Sequence, residues 1–200
     1  MAKRQVQTGE RLLDQGLGLM SQHGLSGVTL GRLAQQVGIS KSGVFAHFSS
    51  KDDVQIALLE HAGQVAMPHV IEPAMREPAG LPRLRAFAMH WFGWAGRAGL
   101  PGGCPVAAAL FELDDVEGPV RDKVSALEAA WRETLAQVVR EAVETGELRR
   151  ELDVDQFVWE LSGIYLSHHV STRFVRDPRA DQRAQTAFEA LLARAAVATG

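Results

Sequence analysis

The stretch TLGRLAQQVGISKSGVFAHFSSK, residues 29–51, decides how this 200-residue chain is read. Thr29 is a hydroxyl residue suited to capping a helix start. After it, Leu30, Leu33, Ala34 and Val37 recur at the i, i+3, i+4, i+7 spacing of one buried helical face. Gly38 follows at once and supplies a turn. Ile39 then plugs that turn, Ser40 is a second N-cap, and a short helix runs from Lys41 to about Ala46 before Phe48 and the Ser49-Ser50 break. Two short helices joined by a glycine turn form a helix-turn-helix.

The same helical grammar extends outward. On the N-terminal side a helix is expected over about 7–22, with Leu12, Leu13, Leu17 and Met20 on its apolar face and His23-Gly24 ending it. Downstream, Asp52 and Asp53 suit the positive end of a fourth helix dipole, and that helix should run through Leu58, Leu59 and Val65 to Pro68. Further helices are expected over about 82–98, 105–113, from Gly118-Pro119 to about 145, and over about 154–175 and 181–198. Turn signals separate them, and no stretch alternates cleanly enough to be a strand. The fold class is therefore all-α: an N-terminal three-helix helix-turn-helix domain, residues 1–50, and a C-terminal helical bundle, residues 51–200, with about nine helices in total.

Composition narrows the function classes. With 46% hydrophobic residues the chain has enough apolar material for one sizeable core or two small ones. No apolar run approaches the roughly 20 residues of a membrane span, and the opening MAKRQVQTGE lacks a signal-peptide core, so a cytoplasmic protein without a membrane partner is expected. The net charge of −3 is unevenly spread. Lys3, Arg4, Arg11, Arg32, Lys41 and Lys51, against Glu10 and Asp14, give residues 1–51 a surplus of four positive charges, which leaves the remainder at −7. A basic head on an acidic body fits a molecule whose head alone meets phosphates.

The stretch 29–51 resembles the helix-turn-helix signature of the TetR family of transcriptional regulators: a hydrophobic helix, a G-V/I-S turn, a short recognition helix, then an aromatic, H-F and S-K. The likeness is dense over residues 10–60. It implies a non-enzymatic, dimeric regulator whose recognition helix enters the major groove of operator DNA, the groove whose donor and acceptor pattern distinguishes every base pair. Ser40, Lys41, Ser42 and Gly43 then lie at the groove. Lys41 can reach a guanine or a phosphate, Ser42 can bond a base edge, and Gly43 can let the backbone come close. Val44 either packs inward or meets a thymine methyl. Thr29, His47 and Lys51 match the family's usual phosphate-contacting positions, Lys51 at a helix N-terminus whose N–H groups also favour anions. Phe45 departs from the pattern, because tyrosine is commoner there. Without the hydroxyl it offers only an apolar contact.

Beyond Phe48 the resemblance is to the family's variable regulatory domain, which binds a small apolar or amphipathic effector. The segment GCPVAAALFELDD, residues 103–115, looks like a recurring stretch of one subgroup. Phe87, Trp91, Trp94, Phe111, Trp131 and Tyr165 are candidates to line the effector site, or are simply core. Phe157, Leu161, Ile164 and His168 on one late helix and Phe188, Leu191, Leu192 and Ala195 on the next match the family's dimer interface, with intramolecular core as the alternative. A two-fold operator calls for such a homodimer. Cys104 lies before a proline at a helix start, where a thiol can become reactive, so a redox-sensing regulator and a cysteine-dependent enzyme stand as rival readings. No motif supplies a base beside that thiol. Neighbouring His168 and His169 diverge by about 100° on a helix, so no metal site is assigned, and no cofactor is expected.

Overall fold

The computed structural model describes residues 2–197, which divide into two compact units: residues 2–65 with 95–126, and residues 66–94 with 127–197. Its regular structure is helical, apart from one isolated antiparallel bridge between Leu148 and Ala196. Compactness thus divides the chain differently from the expected boundary at residue 50, because residues 95–126 pack with the helix-turn-helix.

In the first unit, α1 (Ala2–His23) buries Leu12, Leu17 and Met20 and ends at Gly24, whose φ of 70° only glycine adopts at little cost. Leu25 and Val28 seal the turn that follows. Then come α2 (Leu30–Val37), α3 (Lys41–Phe45) and α4 (Lys51–Ala66). On α2 the buried residues are Leu33, Ala34 and Val37. Leu30, expected on that buried face, is only half-buried. A Cβ on Gly16 of α1 would lie 2.7 Å from a Leu58 methyl and 3.3 Å from a Leu33 methyl, so α1 uses this glycine to approach its neighbours closely. The start of α4 is a reciprocal cap: the Asp53 N–H donates to Ser50 Oγ, and the Asp53 carboxylate accepts from the Ser49 N–H. After Trp94, the rest of α7 (Trp94–Arg97), with α8 (Pro105–Glu112) and the first turns of α9 (Pro119–Glu144), completes this unit.

The second unit begins with a π-helical turn, Met67–Ile71, that continues from α4 into α5 (Glu72–Met75). The fourth helix was expected to stop at Pro68. The wider π turn instead absorbs the proline's missing N–H and keeps the chain helical. α6 (Leu81–Trp91) is shorter than expected, since the backbone leaves the helix at Phe92 (ψ 121°) before α7. The remainder of α9, α10 (Val154–Val170), a π turn (Ser171–Val175) and α11 (Ala180–Ala195) finish the unit. The expected end of the last helix, Ala198, lies outside the described residues. The core comprises Leu84, Phe87, Leu135, Val139, Phe157, Leu161, Phe188 and Leu192, each 3% exposed or less.

Candidate nucleic-acid interface

The recognition helix is built by two hydroxyl caps and one glycine turn. Thr29 Oγ1 accepts from the Arg32 N–H at 3.2 Å and starts α2. Gly38, at φ 74°, ends it, and the Ile39 N–H returns to the Ala34 carbonyl at 3.0 Å. Ser40 Oγ then accepts from the Gly43 N–H at 3.1 Å and starts α3. These bonds fix the start of each helix and the turn between them.

That outward face carries Lys41, Ser42, Phe45 and Ala46, all exposed, with Phe45 at 52%. Ser42 Oγ lies 2.8 Å from Ser40 Oγ, which ties the two predicted base-facing hydroxyls together. The Lys41 side chain passes over Gly31 of α2, its Cε 3.2 Å from where a Cβ would stand. Thr29 and Lys51 are exposed on the flanks. His47 is half-buried, its ring against Gly9 of α1 and 6.4 Å from the Phe48 ring.

Burial decides between the two expected roles of Val44. Val44 is fully buried, so it packs inward and cannot meet a base. Gly43 is half-buried in the first turn of α3, where a Cβ would sit 3.3 Å from Cδ1 of Ile39, the residue that plugs the turn. Of the head's basic side chains, Arg11 donates to the Val37 carbonyl and Arg32 to the Gly27 carbonyl, so both brace the motif. Lys41 on α3 and Lys51 on its flank are exposed cations for which no such brace is seen among the described residues.

Residues that sequence reasoning passed over hold the turn before α2. Gln55, 7% exposed on α4, donates from Nε2 to the Leu25 carbonyl at 2.8 Å. Glu112, the last residue of α8, accepts from the Leu25 and Ser26 N–H groups at 3.0 Å each. His61 of α4 lies 2.8 Å from the Asp14 carboxylate on α1, and Lys123 bonds Glu60 at 2.6 Å. A helix should avoid a carboxylate at its negative end, so the place of Glu112 is a signal of a partner off its own helix.

In the second unit five of the six expected effector-site residues come together. Trp91 stacks on Tyr165 at 3.9 Å and meets Trp131 edge-on at 5.0 Å, Phe87 lies 6.1 Å from Trp131, and Trp94 Nε1 donates to Tyr165 Oη at 3.2 Å. Trp131 Nε1 and Ser162 Oγ are buried there or on the same helices without a hydrogen-bond partner. Phe111 does not join the cluster: it belongs to the first unit and is 57% exposed.

The expected dimer residues Phe157, Leu161, Phe188, Leu191, Leu192 and Ala195 are at most 3% exposed within this single chain, so they are its own core. His168 is 4% exposed and bonds Asp181 at 2.7 Å. Burial lowers the His169 pKa from its ordinary value, assisted by the positive charge of Arg173 and by His168. Outside this core, Ile164, Trp159 (64% exposed), Gly163, Ala184, Ala187 and Ala190 line a groove of about 520 Å³ between α10 and α11. Cys104 is 8% exposed, and its sulfur caps α8 by accepting from the Ala107 N–H at 3.5 Å. Among the described residues no cluster of side chains could hold a metal ion, and no helix is long and apolar enough to cross a membrane.

Comparison with known proteins converges on the same architecture. Residues 12–58 match the sequence family of bacterial regulatory proteins of the tetR type, and residues 80–188 match the tetracyclin repressor-like C-terminal domain. The nucleoid occlusion factor SlmA of Sodalis glossinidius is 28% identical over 80% of this chain and 81% of its own. A TetR-family transcriptional regulator from Cytophaga hutchinsonii superposes with a TM-score of 0.87, at 17% identity, over 98% of each chain. AibR, solved in complex with isovaleryl coenzyme A and operator DNA, superposes with a TM-score of 0.73, at 19% identity, over 92% of this chain and 98% of its own.

Proposed function

Since the chain belongs to the TetR family of bacterial regulatory proteins, and so is a DNA-binding transcriptional regulator, we propose that it is a ligand-responsive repressor acting as a homodimer in the cytoplasm. Residues 1–50 read DNA; residues 51–200 carry dimerisation and effector binding. The observation that carries this reading is the outward face of α3, where Lys41, Ser42 and Phe45 stand exposed on a helix capped by Ser40 and anchored by a buried Val44.

On this reading Lys41 and Ser42 address base edges and nearby phosphate, Phe45 contributes apolar contact, and Thr29, His47 and Lys51 clamp the backbone. Lys51 sits at the start of α4, whose first-turn N–H groups add to its attraction for a phosphate. Two such heads meet successive major-groove faces when a two-fold dimer holds them about 34–36 Å apart, or a multiple of that spacing. The groove between α10 and α11, with Trp159 exposed at its edge and small residues along its floor, is the self-complementary face offered for that dimer.

The proposed effector is small and apolar or amphipathic, received by the cluster of Phe87, Trp91, Trp94, Trp131 and Tyr165. The unpartnered Trp131 N–H and Ser162 hydroxyl are the polar groups such a ligand could satisfy. Support for pairing an effector with an operator on this fold comes from AibR, which is seen with both an acyl coenzyme A and DNA. Effector binding would shift the fourth helix and lower the population able to bridge both half-sites, in proportion to the ligand's preference for that other state. No catalytic role is proposed.

The test is fluorescence anisotropy of the purified protein on labelled duplex from its own upstream region, comparing wild type with the Lys41→Ala/His47→Ala double variant. Selective binding that the variant loses and that an acyl coenzyme A or another amphipathic compound weakens supports the reading. Binding that is equal on all duplexes and indifferent to the double substitution overturns it.

A further inference from the structure

The segment following α7 carries a motif whose role operator reading and effector binding leave unexplained: Gly102-Gly103-Cys104-Pro105 at one end of α8 and Glu112 at the other. Both ends are fastened to the same short piece of the head. At the first end the Gly102 N–H donates to Ser21 Oγ and the Gly103 N–H to the Ser21 carbonyl, each at 3.1 Å. A Cβ on Gly102 would lie 1.8 Å from that carbonyl oxygen, so only glycine permits the approach. At the other end both Glu112 oxygens are engaged, Oε1 by the Leu25 N–H and Oε2 by the Ser26 N–H, at 3.0 Å each. A Cβ on Gly24 would fall 1.8 Å from Oε1, so the carboxylate is seated directly against the backbone at the end of α1.

Consecutive backbone N–H groups beside a left-handed residue make an anion-binding concavity, and here α8 fills it with its own side chain. Position alone would disfavour that side chain. Glu112 ends a helix, where the dipole repels a carboxylate, so its stabilisation comes from the two N–H groups it receives from elsewhere. The turn is also gripped from its other edge, because the buried Gln55 amide donates to the carbonyl of Leu25. Leu25, whose N–H and C=O are both held by long-range side chains, lies five residues before the start of α2.

We infer that Glu112 is a positioning residue for DNA recognition: through it, residues 102–112 fix the turn at 24–26 that sets where α2 and α3 stand. The inference rests on the reading of the chain as an operator-binding protein. Glu112 touches no nucleic acid. Its removal lets the turn relax, so the recognition helix spends less time in the orientation that fits a specific site, while attraction of the exposed lysines for phosphate persists.

The experiment uses the full-length protein and a duplex enriched from a random library by the wild type. Anisotropy is measured on that duplex and on bulk mixed-sequence DNA for Glu112→Ala, Glu112→Gln and Val54→Ala, the last a core truncation elsewhere in the same unit. Glu112→Ala is expected to lose affinity for the enriched duplex by about tenfold or more, with binding to bulk DNA unchanged. Glu112→Gln keeps the size and one acceptor oxygen and should fall between. Val54→Ala, measured where it remains folded, should keep the ratio of specific to bulk affinity. Without DNA, hydrogen exchange at the Leu25 and Ser26 amides should accelerate in both Glu112 variants while Val44 stays protected, and this reads the contact itself even if the alanine variant proves hard to fold. Wild-type specificity in both Glu112 variants overturns the inference, as does an equal loss in Val54→Ala, which would reduce Glu112 to a stability role. If the wild type enriches no sequence, the operator reading falls and the inference with it, whereas unchanged exchange at Leu25 and Ser26 would refute the pin alone.

Discussion

Lys51→Ala offers a quantitative test of the proposed DNA face. Lys51 is exposed at the first position of α4, the positive end of the helix dipole, where a cation is unfavourable for the fold. Its removal should leave stability within about 0.5 kcal/mol of wild type, or raise it slightly. If its partner is a phosphate, each head loses one neutralised phosphate and a dimer loses two. At about 0.9 per phosphate, the slope of log K against log salt becomes shallower by ~1.8. Between 50 and 200 mM salt this amounts to a roughly twelvefold smaller loss of affinity in the variant than in wild type. The assay is anisotropy on one labelled duplex across that salt range, repeated on a duplex with the recognised bases scrambled. The slope change should be the same on both, since phosphates carry no sequence. An unchanged slope, or a loss confined to the recognised sequence, would refute the assignment of Lys51 to the backbone.

Four further outcomes follow from the same geometry. Phe45→Tyr should tighten DNA binding several-fold by adding back a hydroxyl on the exposed face, and its thermal midpoint should not move, because the ring is 52% exposed. Gly38→Ala should cost about 1 kcal/mol in urea unfolding: nothing lies within 4 Å of the added carbon, so the φ of 74° is the whole penalty. Trp91→Ala removes the ring that stacks on Tyr165 and meets Trp131 edge-on and should cost about 3–5 kcal/mol by the same assay. Stability should also fall as pH drops through about 6.5, because the unfolded chain protonates His169 before the folded chain does. Thermal midpoints at pH 7.5 and 5.5 check this, and His169→Gln should show the smaller difference.

Local chemistry explains what was legible in the sequence. The helix-turn-helix could be read because every device that builds it acts over three to five residues: Thr29 on Arg32, Gly38 behind Ala34, Ser40 on Gly43. Helix ends elsewhere were misjudged where a local rule had two solutions. Pro68 can stop a helix or widen it into a π turn, and here the α-helix ends at Ala66 while a π turn carries the chain on, with Val70 and Ala74 buried. Amphipathic spacing likewise identified the apolar residues of α10 and α11 but could not divide them between core and partner. Phe157, Leu161 and Phe188 are consumed by contacts within the chain, and the groove beside Trp159 was hidden because alanines carry little hydrophobic signal. Least legible were the contacts that hold the head. Glu112 lies 87 residues from Leu25 and meets it through a backbone N–H, a partner that every residue but proline possesses. A side chain whose partner is main chain leaves no complementary residue type at the other end. What it does leave is a charge where the helix dipole disfavours one and a glycine where a Cβ would collide, and Glu112 facing Gly24 carries both marks.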